Sequence, residues 1–502
     1  MQLYDKDLLS VQEVRTLLSA AKAAQQELAT KSQEYVDRIV KAIADAGVRN
    51  AVRLGALAQE ETGFGVAEHK TIKNIFASKF VWDYIKDMKT VGEIGRDEKL
   101  GLTCYAVPLG VIAGIVPSTN PTSTCFYKAE ISIKAGNAIV FSPHPSAQHC
   151  IDEAVKVIRQ AIREAGGNEN LVSTISIPTR QATNILMSHP DTAMILATGG
   201  SAMVRAAYSS GTPAIGVGPG NGPSYIERTA DLPLAVKRIV DSKTFDNGTI
   251  CASEQSVICD DDMVDAVQAE MKRQKFYFLS DEQRDKLSKF ILRGNGTMNP
   301  QIVGKDPQTV ANLAGITIPS DTRVIVAVDQ GIGRGHPYSN EKLSTILGFF
   351  HAENYVKVCE HCVDLLHYEG AGHTMSLHTK DNNIVKYFAQ RIPASRIVVN
   401  SPSTFGGIGA STGLMPALTL GCGAIGGSAT SENVGPMQLF DRRYVAVGSM
   451  ELEDIQKAVA DAQGSACSTA ASYAPSCGCA SANISDADID AIVKKILERL
   501  SA

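Results

Sequence analysis

The stretch Gly110-Val-Ile-Ala-Gly-Ile-Val-Pro-Ser-Thr-Asn-Pro-Thr122 decides how this chain folds. Its opening run is short and apolar, with Pro108 just before it and Pro117 just after. That composition suits a strand buried on both faces, as in a parallel sheet. Helical spacing follows at once over Thr122–Lys134, and Ala138-Ile-Val-Phe141 reads as a second strand. The alternation continues outward, with strands at Val172–Ile177 and Thr192–Ala197 and helices near Ala147–Ala165 and Arg180–Ser188. Strand, helix, strand in this order predicts an α/β, βαβ dinucleotide-binding architecture whose ligands sit at the strand C-termini.

Upstream, apolar residues recur at helical spacing through Val11–Ala46 and Ala51–Thr62. Leu102–Val107 is a further strand candidate, and the region near 96–112 reads as a hairpin arm. A second alternating block runs from Gln255 to about Ala429. Its strands are expected at Ser256–Cys259, Arg323–Val328, Thr374–His378 and Arg396–Val399, and its helices near Asp262–Arg273, Glu282–Leu292, Ala352–Leu366 and Asn382–Gln390. Beyond Asn400 the glycine-rich chain reads as loops packed around a site. The expected division is 1–240 for the helices and dinucleotide-binding domain, 241–435 for a catalytic domain and 436–463 for a segment returning to the first domain. Residues 464–483, rich in Ser, Ala, Cys and Gly, read as a flexible linker. Residues 484–502 read as an amphipathic helix, with Ile489, Ile492, Val493, Ile496, Leu497 and Leu500 on one face.

Composition narrows the function. The 502 residues carry a formal net charge of -5 and no dense Lys/Arg run, which speaks against nucleic-acid binding. No apolar stretch approaches the ~20 residues of a membrane span. Met1–Ala20 is charged and helical in pattern, unlike a secretion signal. Eleven cysteines without a regular framework suit free thiols in a reducing cytosol. Cys467, Cys477 and Cys479 in a loose linker make a poor zinc site, so no metal is expected.

Chemistry enters at Thr244-Phe-Asp-Asn-Gly-Thr-Ile-Cys-Ala-Ser-Glu-Gln255. The turn signal Asn247-Gly248 sets Cys251 where a thiolate can meet a substrate; the competing reading is a small, inert core residue. Asn120 follows an apolar strand, where its amide N–H can face an oxyanion, although Asn120-Pro121 also reads as a plain turn. Ala197-Thr-Gly-Gly-Ser-Ala202 joins a strand to a helix, placing Gly199, Gly200 and Ser201 where backbone N–H groups attract phosphate; tight-turn glycines explain it equally well. Ser142 and His144 end another strand of that sheet, and His144 faces either a nucleotide or solvent.

Together, in this order, these segments resemble the aldehyde dehydrogenase superfamily, and within it the CoA-acylating branch. The likeness runs from Val11 to about Gly448 and is specific at Gly114–Thr124, Ala138–Pro145, Ala197–Ser201, Phe245–Gln255, Glu341–Ser344, Gly370–Thr374 and Ser431–Val434. The resemblance implies two Rossmann-like αβα domains, a β-hairpin oligomerisation arm and a homodimer or homotetramer. It implies that Cys251 attacks the aldehyde, that Asn120 and the Cys251 backbone N–H hold the oxyanion, and that hydride passes to NAD, with NADP less expected. Coenzyme A then accepts the acyl group. Gly199, Gly200 and Ser201 match the family's pyrophosphate turn, and Glu341 matches the glutamate on the nicotinamide ribose. His373 matches a histidine of the acylating branch, where it either assists the CoA thiol or serves as a structural hydrogen-bonding group. Gly216-Val-Gly-Pro-Gly-Asn-Gly-Pro223 replaces the Glu-Leu-Gly-Gly of hydrolytic relatives and carries no carboxylate to activate water. Ser142 stands where those relatives have a lysine on the adenosine ribose.

The C-terminal helix resembles the encapsulation peptides that bring enzymes into bacterial microcompartments. This implies shell proteins or other cargo as partners and a location in a compartment lumen within a bacterial cytoplasm. An ordinary oligomerisation or docking helix is the other reading.

Overall fold

The computed structural model describes residues 5–294 and 296–470. In chain order the strands are β1 (Gly92–Asp97) and β2 (Leu102–Pro108), then β3–β7 (Val111–Val116, Ala138–Pro143, Val172–Thr174, Thr192–Thr198, Ala214–Val217). They continue as β8–β14 (Gly222–Ile226, Glu254–Asp260, Phe276–Phe278, Val324–Val328, Ile346–Ala352, Gly372–His378, Ala394–Val399) and β15 (Phe440–Ala446). Three sheets result, ordered β5-β4-β3-β6-β7, β10-β11-β12-β9-β8-β13-β14 and β1-β2-β15.

The first two sheets are parallel throughout. Covering helices bury both faces, so β3, β4, β7, β8 and β9 are buried along their whole length, and β3 and the opening of β4 read as unbroken apolar runs. The helices Lys6–Leu28 and Gln33–Thr62 begin at Asp5 and Ser32, whose side chains accept from first-turn N–H groups. They bury Val14, Leu18, Ile39, Ile43 and Leu54 in the same core as β3 and β4.

The α/β fold class stands, and each strand and helix expected at β3–β6 is present. Several boundaries move, and β5 ends at Thr174 rather than Ile177. The arm ends earlier than expected: β2 stops at Pro108, while Val111 and Ile112 belong to β3 of the five-stranded sheet. β8 lies before residue 240 yet pairs with β9 and β13, so the second sheet starts at Gly222. Ala352, expected to open a helix, ends β12, and that helix spans Tyr355–Tyr368. The helix Leu452–Ala470 continues through Gly464, where the linker was expected to begin. The rest of that linker and the 484–502 helix lie outside the described residues.

Cα packing separates two compact units. Of the described residues, the first comprises those within 5–96 and 103–445; the second comprises 97–102 and 446–470 and includes the helix Leu452–Ala470. Among the described residues no helix is long and apolar enough to cross a membrane, and no group of three or more His, Cys, Asp and Glu is placed to hold a metal ion.

Candidate active site

Cys251 follows a strained loop. The helix Leu232–Thr244 stops at Phe245, and Asp246 (φ 50), Asn247 (φ 51) and Gly248 (φ 76) are all left-handed. Such a conformation costs about 1–3 kcal/mol per non-glycine residue and persists only where surrounding contacts fix it. Here they do. The Asp246 N–H donates to His69 Nδ1 (2.8 Å), and the Asp246 carboxylate accepts from Val66 N (2.7 Å), Lys70 Nζ (3.1 Å), Thr249 Oγ1 (2.6 Å) and Lys73 Nζ. Asn247 Nδ2 donates to the Gly304 carbonyl at 3.0 Å. The chain then turns through a partly buried Cys251 into β9.

Asn120 comes from the other sheet, at the N-terminal end of the helix Pro121–Lys134 that follows β3. Its Oδ1 accepts from Lys73 Nζ (2.6 Å), and its Nδ2 donates to the Thr249 carbonyl (3.2 Å), two residues before the cysteine. An ammonium can only donate, so the amide is held with its N–H groups toward the cysteine loop.

Gly220 packs on the opposite side. A Cβ there would lie 2.0 Å from the Cys251 carbonyl oxygen and 3.1 Å from His373 Cε1, so only glycine lets the β7–β8 loop approach. Its N–H donates to Glu341 Oε1 at 2.8 Å. Burial, then the neighbouring Glu369 carboxylate, pushes Glu341 up to about 8, which leaves it protonated at neutral pH. Burial pushes the Cys251 thiol up to about 12; Glu341 and Cys422 add to this, and the Arg396 guanidinium opposes it.

His373 is fully buried at the start of β13, and burial, then Arg396, lowers it to about 3, so its imidazole is neutral. Its Nδ1 meets Thr374 Oγ1 at 3.0 Å, and that oxygen also accepts from Arg396 Nε at 3.3 Å. Its Nε2 has no partner among the described residues. Arg396 itself donates to the carbonyls of Gly421 and Ser431 and to Asn433 Oδ1.

The structure thus gathers Asn120, Cys251, Glu341 and His373 in one place. The other expected residues sit at the C-terminal edge of the five-stranded sheet. Gly199 and Gly200 lead from β6 into the helix Ser201–Tyr208, and Gly200 caps it without a side-chain hydrogen bond. A Cβ at Gly200 would meet nothing within 4 Å, so the turn ahead of that helix borders open space. Ser142 ends β4, buried, with its hydroxyl 2.8 Å from Thr183 Oγ1, so that hydroxyl is committed to packing. His144 follows it and accepts from Ser146 N at 3.2 Å. Sequence reasoning passed over Lys73, Asp246, Gly220 and Arg396. Asp246 and Gly220 stood inside quoted segments, whereas nothing local marks Lys73 or Arg396.

The model of the aldehyde dehydrogenase family matches residues 4–278. This chain belongs to that family. A bifunctional aldehyde-alcohol dehydrogenase of Escherichia coli is 42% identical over 442 residues, which is 87% of this chain and 50% of that protein. The chain therefore spans about half the length of that curated relative. Among solved structures, an acetylating aldehyde dehydrogenase from Geobacillus thermoglucosidasius is 50% identical, with 90% of this chain and 99% of that one covered and a TM-score of 0.88. A propionaldehyde dehydrogenase from a fucose-utilisation microcompartment of Clostridium phytofermentans is 30% identical, with 88% and 98% covered and a TM-score of 0.79.

Proposed function

We propose that this aldehyde dehydrogenase oxidises a short aldehyde, acetaldehyde or propionaldehyde, to its acyl-CoA with NAD as hydride acceptor, and that the reaction is reversible. One observation carries the reading: the segment pressed against Cys251, from Gly216 to Pro223, bears no carboxylate, so no side chain there can activate water against a thioester. The nearby Glu341 carboxyl is bound to the Gly220 N–H and protonated at neutral pH, a poor base for water. The names acetylating aldehyde dehydrogenase and propionaldehyde dehydrogenase among its relatives support the same choice.

In this mechanism the Cys251 thiolate adds to the aldehyde carbon, and the Asn120 amide with the Cys251 backbone N–H takes the resulting oxyanion. Gly199, Gly200 and Ser201 would hold the cofactor's pyrophosphate, Ser142 and His144 would flank its adenosine end, and Glu341 would hold its nicotinamide ribose. Bound nicotinamide supplies the hydride acceptor. The acyl group left on Cys251 passes to the CoA thiol, which forms a new C–S bond as the Cys251 thiolate departs; His373 stands beside this exchange. The chain forms a homodimer or homotetramer through the β1–β2 arm. Residues 484–502 address it to a microcompartment, a reading supported by the compartment-derived relative.

The test is NADH formation from propionaldehyde and NAD with and without coenzyme A. Sustained turnover only with CoA is expected. Equal turnover without it would establish the alternative, a hydrolytic enzyme making free acid, and no turnover with any short aldehyde would leave a binding or scaffold homologue.

A further inference from the structure

Lys73 has no place in the reaction scheme above, yet it is the cation nearest the oxyanion donor. It lies on the helix Ala67–Ile75, whose next turn, Phe76–Phe80, is a π-turn. The side chain is 3% exposed. Every hydrogen bond it makes runs toward the site: to Asn120 Oδ1 (2.6 Å), Thr249 Oγ1 (3.2 Å), the Thr249 carbonyl (3.4 Å) and the Asp246 carboxylate. Its Nζ also stands 5.8 Å from the centre of the Phe245 ring. A buried ammonium is costly unless paired, and Asp246 is the pair.

We propose that Lys73 is a positioning residue for the oxyanion site: it locks the Asn120 amide with Nδ2 toward Cys251 and, through its charge on Oδ1, sharpens the N–H that meets the oxyanion. This rests on the reading of Asn120 given above. Without Lys73 only the Nδ2 donations to the Thr249 carbonyl (3.2 Å) and Thr119 Oγ1 (3.3 Å) hold the amide, which is then freer to turn over and present a carbonyl oxygen to a developing negative charge. Charge placed on one end of an amide also strengthens donation from the other. Asp246 ties the assembly together, because the same carboxylate holds Lys73 and fixes the left-handed loop that delivers Cys251. The nucleophile and its oxyanion donor, from different sheets, are therefore set by one ion pair.

The experiment compares wild type, Lys73→Met, Lys73→Gln, Asn120→Ala and the Lys73→Met/Asn120→Ala double variant by CoA-dependent NADH formation, with thermal melts alongside. Lys73→Met leaves Asp246 paired with Lys70, Val66 N and Thr249, so the loop keeps its supports. Asn120→Ala is expected to lose about 10²–10³ in kcat as an oxyanion donor does. Lys73→Met should lose about 10–10²-fold in kcat with little change in aldehyde KM, because it acts only through that donor. Lys73→Gln, which still donates toward Oδ1, should lose less. The double variant should fall no lower than Asn120→Ala alone, since residues acting as a unit are non-additive. Losses that multiply, or a Lys73→Met enzyme as fast as wild type beside an impaired Asn120→Ala, would overturn the proposal and leave the functional reading intact. An Asn120→Ala enzyme at full rate would instead remove the oxyanion reading and the proposal with it. Two Lys73 variants that both fail to fold would assign Lys73 to the fold and overturn the proposal as well.

Discussion

At the scale of single residues, Gly220 and Glu341 govern the environment of the thiol. A methyl at Gly220 would sit 2.0 Å from the Cys251 carbonyl oxygen, and that oxygen belongs to backbone that cannot swing aside. Gly220→Ala is therefore expected to cost about 10²-fold or more in kcat, as misplacement of a reacting group by about 1 Å does, while melting remains cooperative; an active Ala variant would mean that the loop is free to retreat. Glu341 ionises at about 8, well below the Cys251 thiol at about 12, so the thiol loses its proton beside an anion. Glu341→Gln keeps an oxygen for the Gly220 N–H and removes that anion, so Cys251 should ionise at lower pH. Iodoacetamide alkylation measured across the alkaline range should show the midpoint move down in the variant. A midpoint that moves up would contradict the placement of Glu341 beside the thiol.

At the scale of elements, the helix Gln33–Thr62 meets the π-turn Phe76–Phe80 at Gly47, where a Cβ would fall 2.0 Å from Ser78 Oγ and 2.9 Å from Phe126 Cδ1. Alanine improves helix propensity by up to about 1 kcal/mol, but overpacking a buried contact costs about 1–3 kcal/mol. Gly47→Ala should thus lower the melting temperature, and because this helix packs at Gly55 against the separate helix Ala67–Ile75 that bears Lys73, activity should fall before the fold is lost. A stabilised variant would show that the π-turn yields freely. The same elements show what local sequence reveals. β3 and β4 were legible because strands buried on both faces must be apolar along their length. β7 and β8 were not, since Gly216, Gly218, Pro219, Gly220 and Gly222 signal turns, and their strand pairing comes from neighbours such as β9 and β13. Cys251, Asn120 and Glu341 were legible through family motifs. Lys73 was not, because a lysine at helical spacing reads as a solvated face, and the carboxylate that draws it inward lies 173 residues further on.

At the scale of the whole molecule, the site is assembled from Lys73, Asn120, Gly220, Cys251, Glu341 and His373, each from a different stretch of chain and all within the first compact unit, the described residues within 5–96 and 103–445. The two large sheets each supply part: β3 leads to Asn120, while β9 follows Cys251 and β13 begins at His373's neighbour Gly372. Residues 483–502 carry an apolar sequence stripe at Ile489, Ile492, Val493, Ile496, Leu497 and Leu500, whose spacing suits a partner helix rather than a catalytic role. Chemistry and address are then separable. Deleting Asn483–Ala502 should leave CoA-dependent turnover within about twofold of the full chain, the range of changes of about 0.5 kcal/mol made away from a packed core. The same deletion should abolish co-sedimentation with shell proteins when the two are produced together. A truncated chain that turns over slowly in free solution would make the segment part of the enzyme's own assembly, and the measurement that separates these outcomes is activity and sedimentation on one preparation.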